Sequence, residues 1–332
     1  MPSSTDPSAA PARPQPVQPA RPAELAFATP RKLPSARDLR GRVVVLDVAF
    51  ASDVSSGGFD KITRPFIEQL GARLAGWIDH HDHVMHERYR DDARFVLSTK
   101  AEHGACPEMV TPALVERIGP VDTIVCHTDF DGLCSAAKWQ RGGREPYPGA
   151  DDDARAIDTR TSAPGPIGHR FDRALRARPR DAALFGLVVR HLTAGLQDAS
   201  LWESIDRAAA ELTPFEDAAR KLAERYRVVS LGPSESVPAA LRSLSFVDAT
   251  EHHGKYDKTL LLLLGQERAG LALVIDLDTA TLAAHFDSGV NFLEALGLSG
   301  GMPTLVSIPK KRLPDSLRRL GAADADAIAI VG

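Results

Sequence analysis

Apolar residues recur along this chain at two periods, and the switches between them mark out its elements. Val43, Val44, Val45 and Leu46 form an unbroken apolar run closed by Asp47. That length and β-branched content predict a parallel strand buried on both faces. Ile62, Phe66, Ile67 and Leu70 then recur at helical spacing. Residues 74–79 predict a second strand, and residues from about 107 to 118 a helix that stops at Gly119. Residues 121–126 predict a third strand, after which Gly132 opens a small-residue helix over 133–139.

Strands that alternate with helices predict an α/β fold: a parallel sheet with helices on both faces. Residues 170–226 read as almost wholly helical, and 229–239, with Gly232, Pro233 and Pro238, as a linker. Further strands over 244–249, 271–276 and 281–286 predict a second, smaller α/β domain. The chain is therefore expected to divide into a disordered Pro/Ala-rich tail (1–40), a catalytic domain (41–228) and a C-terminal domain (240–332).

Composition narrows the class. The chain has 332 residues, of which 43% are hydrophobic and 25% charged, the balance of a soluble globular protein. A net charge of −4 gives no basic surplus that would advertise long nucleic acid as a partner. The run Leu260 to Leu264 is far short of the roughly 20 apolar residues that cross a bilayer, so no membrane is expected. Cys106, Cys126 and Cys134 show no metal spacing and read as reduced core thiols of a cytoplasmic protein.

The chemistry gathers at strand ends. Asp47 closes the first strand, Asp79-His80-His81-Asp82-His83 the second, and His127-Thr128-Asp129-Phe130-Asp131 the third. Ligands of open α/β sheets collect at the carboxyl ends of parallel strands, so these three clusters converge on one edge. A strand-end aspartate alone is more often a turn residue. Adjacent histidines beside an acid, straight after buried Trp77 and Ile78, are costly unless they bind something. Carboxylates dominate the set, which favours a hard cation such as Mn²⁺ or Mg²⁺ over thiolate-bound zinc. Asp82, His83 and His86 read as solvated turn residues.

The motif His127-x-Asp129-x-Asp131-Gly132 resembles the metal motif of the DHH superfamily of phosphoesterases, in the form seen in RecJ-like nucleases. Asp79-His80-His81 resembles the motif that names the superfamily, and Asp47, 32 residues earlier, its strand-end aspartate. Asp158 is the best match to a later family aspartate, with Asp151, Asp152 and Asp153 close by as alternatives. The family places its His-x-Asp-x-Asp motif first in the chain. Here it comes third, which resembles a circular permutation of the DHH domain. Residues 286–303 more weakly resemble the DHH-associated C-terminal domain, but Asp287 and Met302 stand where that domain carries arginine and histidine.

The resemblance implies two Mn²⁺ ions, with Mg²⁺ as the alternative, bridged by Asp47. His127 and Asp129 would complete one set of ligands, and His80, Asp131 and Asp158 the other. It implies that His81 contacts a phosphate oxygen or protonates the leaving group, and that Asp79 orients a ligand histidine. The implied activity is hydrolysis of phosphodiesters in short oligonucleotides or small nucleotides, in a protein for which a homodimer stays open. The alternative is a catalytically weak DHH scaffold that binds metal and nucleotide for regulation. Lys310, Lys311 and Arg312 could supply the phosphate-binding charge that the altered C-terminal motif lacks, or form an ordinary solvated basic run.

Overall fold

The computed structural model describes residues 22–53, 57–323 and 330. The first sheet draws on strands β1 (Glu24–Ala28), β2 (Val43–Leu46), β3 (Leu74–Asp79), β5 (Phe95–Leu97) and β6 (Thr123–His127). Its order is β1-β6-β2-β3-β5, and every neighbouring pair is parallel. Helices α1 (Arg64–Leu70), α2 (Pro112–Ile118), α3 (Phe130–Gln140), α4 (Ala150–Thr159), α5 (Pro166–Ala177), α6 (Ala182–Thr193), α7 (Ala199–Ala210) and α8 (Thr213–Ala223) follow in the chain.

The period-2 alternation of the strands decides which helices each face receives. Val44, Leu46, Ile78, Ile124 and Cys126 point to one side, where Phe130, Leu133, Phe171, Leu184 and Val188 of α3, α5 and α6 cover them. Val43, Val45, Trp77 and Val125 point to the other, against Phe66, Ile67 and Leu70 of α1. Both faces of β2 are therefore apolar and buried, which explains its unbroken run of four aliphatic residues. The three cysteines are free and buried.

A second sheet has the order β12-β10-β9-β8-β7. Its strands are β7 (Arg227–Ser230), β8 (Ser243–Asp248), β9 (Leu271–Ile275), β10 (Thr279–Ala284) and β12 (Leu305–Pro309). Helices α10 (Phe292–Leu296) and α11 (Leu313–Arg319) supply Phe292, Leu296, Leu313 and Leu317 to one of its faces. The helix α9 (Lys258–Gln266), with α8, covers the other through Leu261, Leu262, Ala219 and Leu222. The fold class is thus α/β, with a parallel sheet between helices and a smaller sheet beside it.

Three local expectations need correction. The tail expected to be disordered over 1–40 is ordered from residue 22. Leu25 and Phe27 pack against the main core, and β1 pairs with β6 from Glu24↔Thr123 to Ala28↔His127. Residues 1–21 lie outside the described residues. The helix expected from about 107 is two pieces, a short turn Cys106–Met109 and then α2, because Thr111 accepts a hydrogen bond from Leu114 N–H and starts a new helix at Pro112. The linker expected over 229–239 begins inside a strand, since β7 pairs antiparallel with β8.

The two sheets are tied together at the site edge. Gly300 and Gly301 form a two-residue strand, β11, antiparallel to Asp82 and His83, which form β4. Ser299 carbonyl accepts from Val84 N–H at 3.0 Å. A Cβ on Gly300 would lie 2.2 Å from His83 Cδ2 and 2.8 Å from the Asp82 carbonyl oxygen, so only glycine permits this approach. Gly300→Ala is therefore expected to lower unfolding free energy by about 1–3 kcal/mol, the cost typical of overpacking. Urea unfolding followed by tryptophan fluorescence checks this, and an unchanged midpoint would show that β11 does not anchor to β4.

Candidate metal centre

Each candidate side chain is aimed by the end of an element. Asp47 follows β2 with a φ of 59°, the left-handed region that few non-glycine residues adopt. Its amide donates to the Ile78 carbonyl at 2.9 Å, which holds this turn to β3. His80 and His81 follow Asp79 at the end of β3, and His127 ends β6. Asp129 caps α3, accepting from Gly132 N–H at 3.0 Å, and Asp131 lies in the first turn of that helix. Asp158 sits in the last turn of α4 rather than at a strand end.

These residues meet. His80 Nε2 lies 3.2 Å from Asp47 Oδ1, 3.1 Å from Asp131 Oδ2 and 3.6 Å from Asp158 Oδ2. His127 Nδ1 lies 3.5 Å from Asp47 Oδ2 and 2.8 Å from Asp129 Oδ2. The Asp47 carboxylate therefore turns one oxygen toward each histidine. Among the described residues, the sets Asp47–His127–Asp129, His80–Asp131–Asp158 and Asp47–His80–His81 each bring three ligand atoms within 4.8 Å of one another. Of the alternatives to Asp158, Asp151 pairs with Lys138, and Asp153 accepts from Tyr147 and from the Gly165 and Gly168 amides.

The donor set fits a divalent cation. Asp47 is 1% exposed, yet among the described residues neither of its carboxylate oxygens has a hydrogen-bond donor, and Asp131 Oδ2 and His127 Nδ1 are likewise buried without a partner. Buried polar atoms are ordinarily satisfied, so an orphaned cluster of oxygens and imidazole nitrogens is the signature of a place for a cation. The chain's own charges already register the strain. Burial, then Asp47 and Asp158 beside it, push the Asp131 carboxyl well above the carboxylate range. Burial disfavours a charged His127, but Asp129 and Asp47 more than offset it and hold that imidazole well above its usual range.

Asp79 and His81 form a separate pair. His81 Nδ1 donates to Asp79 Oδ1 at 2.8 Å, which fixes the tautomer and leaves Nε2 free. The histidine that Asp79 orients is thus His81, whereas the Nδ1–H of His80 goes to the His103 carbonyl at 2.8 Å. Burial, with Lys100 and His80 nearby, lowers the His81 pKa well below its usual value, while burial raises that of Asp79.

Two cavities open on the centre. One, of about 330 Å³, is lined by Asp129, Asp131 and Asp158 on one side and by Leu262, His285, Met302 and Thr304 of the second sheet's unit on the other. The other, of about 370 Å³, is lined by His81, Phe50, Arg31, Gly300 and Gly301. Lys310, Lys311 and Arg312 line neither; Arg160 and Arg176 line the first, both paired with Asp172. Asp287 is exposed and hydrogen-bonds His285. His83, expected to be solvated, is buried, with its ring 5.6 Å from Phe50 and 6.0 Å from Phe59.

One residue of the centre escapes sequence reasoning. Lys100 is 2% exposed, and its Nζ lies 3.0 Å from His80 Nε2 and hydrogen-bonds Asp158 Oδ2. It follows the short strand β5, whose run Phe95-Val96-Leu97 carries no motif. Burial disfavours its charge, but Asp158, then Asp131 and Asp47, more than offset that and hold its pKa above the usual lysine value. The same carboxylates favour protonation of His80. Two donors cannot share the 3.0 Å contact, so with Lys100 charged His80 accepts through Nε2.

No protein-family model matches the chain, and no curated protein matches it either. Among solved structures it is similar to the crystal structure of exonuclease RecJ bound to manganese, at 16% identity over 87% of this chain and 77% of that one, with a TM-score of 0.40.

The raised Asp131 carboxyl makes a signed prediction. Folded, it holds its proton to higher pH than the unfolded chain does, so stability is present at low pH and lost as pH rises through the folded pKa. In chelator-treated protein, stability should fall from pH 5 to pH 8 more steeply in the wild type than in Asp131→Asn. Urea unfolding at both values measures it, and parallel slopes would show that Asp131 carries no such shift.

Proposed function

We propose that the chain is a divalent-metal-dependent phosphoesterase of the DHH type, its motifs in permuted order, acting on phosphodiesters of short oligonucleotides or small nucleotides. The observation that carries this is the buried Asp47 carboxylate, which faces His127 with one oxygen and His80 with the other and accepts no hydrogen bond with either. Asp47, His127 and Asp129 would hold one ion, with Mn²⁺ or Mg²⁺ the fitting cations, and His80, Asp131 and Asp158 form the set that the DHH resemblance gives to a second. When bound, such ions supply charge that draws in phosphate and make water acidic enough to attack phosphorus near neutral pH.

The other roles fall to the chain's own groups. Asp79 holds His81 in one tautomer, and His81 lines the cavity beside Gly300 and Gly301. A His81 held neutral accepts a proton there; it donates one to a leaving group only after an incoming phosphate has favoured the charged ring. The cavity beside Asp129, Asp131 and Asp158 has apolar walls in Leu175, Leu262 and Leu305. About 330 Å³ suits a nucleotide-sized ligand rather than a long strand.

A second reading is a scaffold with weak catalysis that binds metal and nucleotide for regulation. The specific observations behind it are Asp287, turned to His285 in solvent, and Met302, which lines the cavity with no charge to offer a phosphate.

The test is hydrolysis of a nitrophenyl phosphodiester and of a length series of 5′-phosphorylated oligonucleotides with Mn²⁺. Wild type should cleave the short substrates best. Asp47→Asn should lose more than about a hundredfold in kcat/KM, since even partners one step removed from a metal typically cost 10–100-fold. Near-normal Mn²⁺-dependent turnover by Asp47→Asn would overturn the assignment of Asp47 to the metal centre, and metal binding without turnover of any substrate would favour the scaffold.

A further inference from the structure

The His80–Asp131–Asp158 ligand set is not open. Lys100 reaches into it from the loop after β5, the parallel neighbour of the strand that delivers His80. Its Nζ hydrogen-bonds two of the three groups there, His80 Nε2 at 3.0 Å and Asp158 Oδ2. The lone pairs that an ion would need are the ones that the ammonium already takes. Both would also be positive at the same point, in a buried place where charges are poorly screened. The same loop aims the ring, because the His103 carbonyl holds His80 Nδ1 and so turns Nε2 toward Lys100. The lysine is fully buried, and its amide donates to Asp82 Oδ2 at 3.4 Å, so the side chain is anchored at its base.

The other set differs. Asp47 Oδ2, His127 Nδ1 and Asp129 Oδ2 face one another, and among the described residues no lysine is hydrogen-bonded to any of them. The two halves of the centre thus differ in one respect that matters to a cation: a lysine of the chain takes two of the three groups in one half and none in the other.

We propose that the Lys100 ammonium stands permanently in for the second ion, so that the centre takes a single divalent cation, held by Asp47, His127 and Asp129. This rests on the metal-centre reading above. It makes the chain a one-metal variant of a two-metal design. The charge of the lysine is covalently fixed and independent of the metal supply. Lys100 holds the Asp158 and His80 side chains in place, acting as a positioning residue.

Ion stoichiometry tests this without reference to turnover. Chelator-treated full-length protein is loaded with Mn²⁺, counted by calorimetry and by elemental analysis, and examined by electron paramagnetic resonance. Wild type should bind one ion per chain and give the spectrum of an isolated Mn²⁺. Lys100→Met, which keeps the length and removes the charge, should bind two and give the spectrum of an exchange-coupled pair. Lys100→Arg should stay at one, and Lys100→Ala gives the same two-ion count should the methionine variant not fold. Two coupled ions in wild type would overturn the proposal and leave the metal centre standing, as would one ion in both wild type and Lys100→Met. No ion in any of the chains would overturn the metal-centre reading itself.

Discussion

The Asp47 carboxylate is the constraint around which the rest is arranged. It is buried at the end of the central strand β2, its oxygens accept no hydrogen bond, and Asp131 and Asp158 converge on the same spot. Three carboxylates cannot lie together out of water unless positive charge lies with them. His127 and Lys100 supply part of it from two different elements, and the orphaned oxygens mark where it is unmet. The left-handed backbone at Asp47 belongs to the same arrangement, at the turn where β2 ends and the carboxylate meets both histidines.

A rigid frame makes such a concentration of charge tolerable. The strands that deliver Asp47, His80 and His127 are adjacent in one parallel sheet, with apolar cores on both faces. Their ends cannot drift apart to relieve repulsion without breaking ladder hydrogen bonds and exposing aliphatic side chains. The capping bond of Asp129 and the Cys106 amide on Asp131 Oδ1, at 2.9 Å, fix the remaining carboxylates to α3 and to the turn before α2. Preorganisation of this kind keeps the carboxylate and imidazole groups close despite their mutual repulsion.

The smaller sheet shapes access. Gly300 and Gly301 dock on the segment that follows the histidine pair, and Leu262, His285 and Met302 form the far wall of one cavity. The centre therefore has two unequal mouths, one acidic and apolar, the other beside His81 and Phe50. On the near side of that cavity Arg160 and Arg176 are shared with Asp172.

Much of this was readable from the chain alone. A run of four aliphatic residues has few destinations other than a strand covered on both sides, so β2 and the acid that ends it follow from local pattern. Asp79-His80-His81 and His127-x-Asp129-x-Asp131 are likewise short-range patterns, with costs of burial that hold for any fold placing them after strands. Other features were decided only by the tertiary structure. Strand β1 is exposed or half-buried over most of its length, and it is a strand because the open edge of β6 offers it a ladder. That His81 and not His80 takes Asp79 depends on which ring nitrogen the His103 carbonyl reaches. Lys100 carries no pattern that separates it from a surface lysine. Its place beside His80 and Asp158 arises from the pairing of β5 with β3, a contact between segments about 20 residues apart that no local periodicity records.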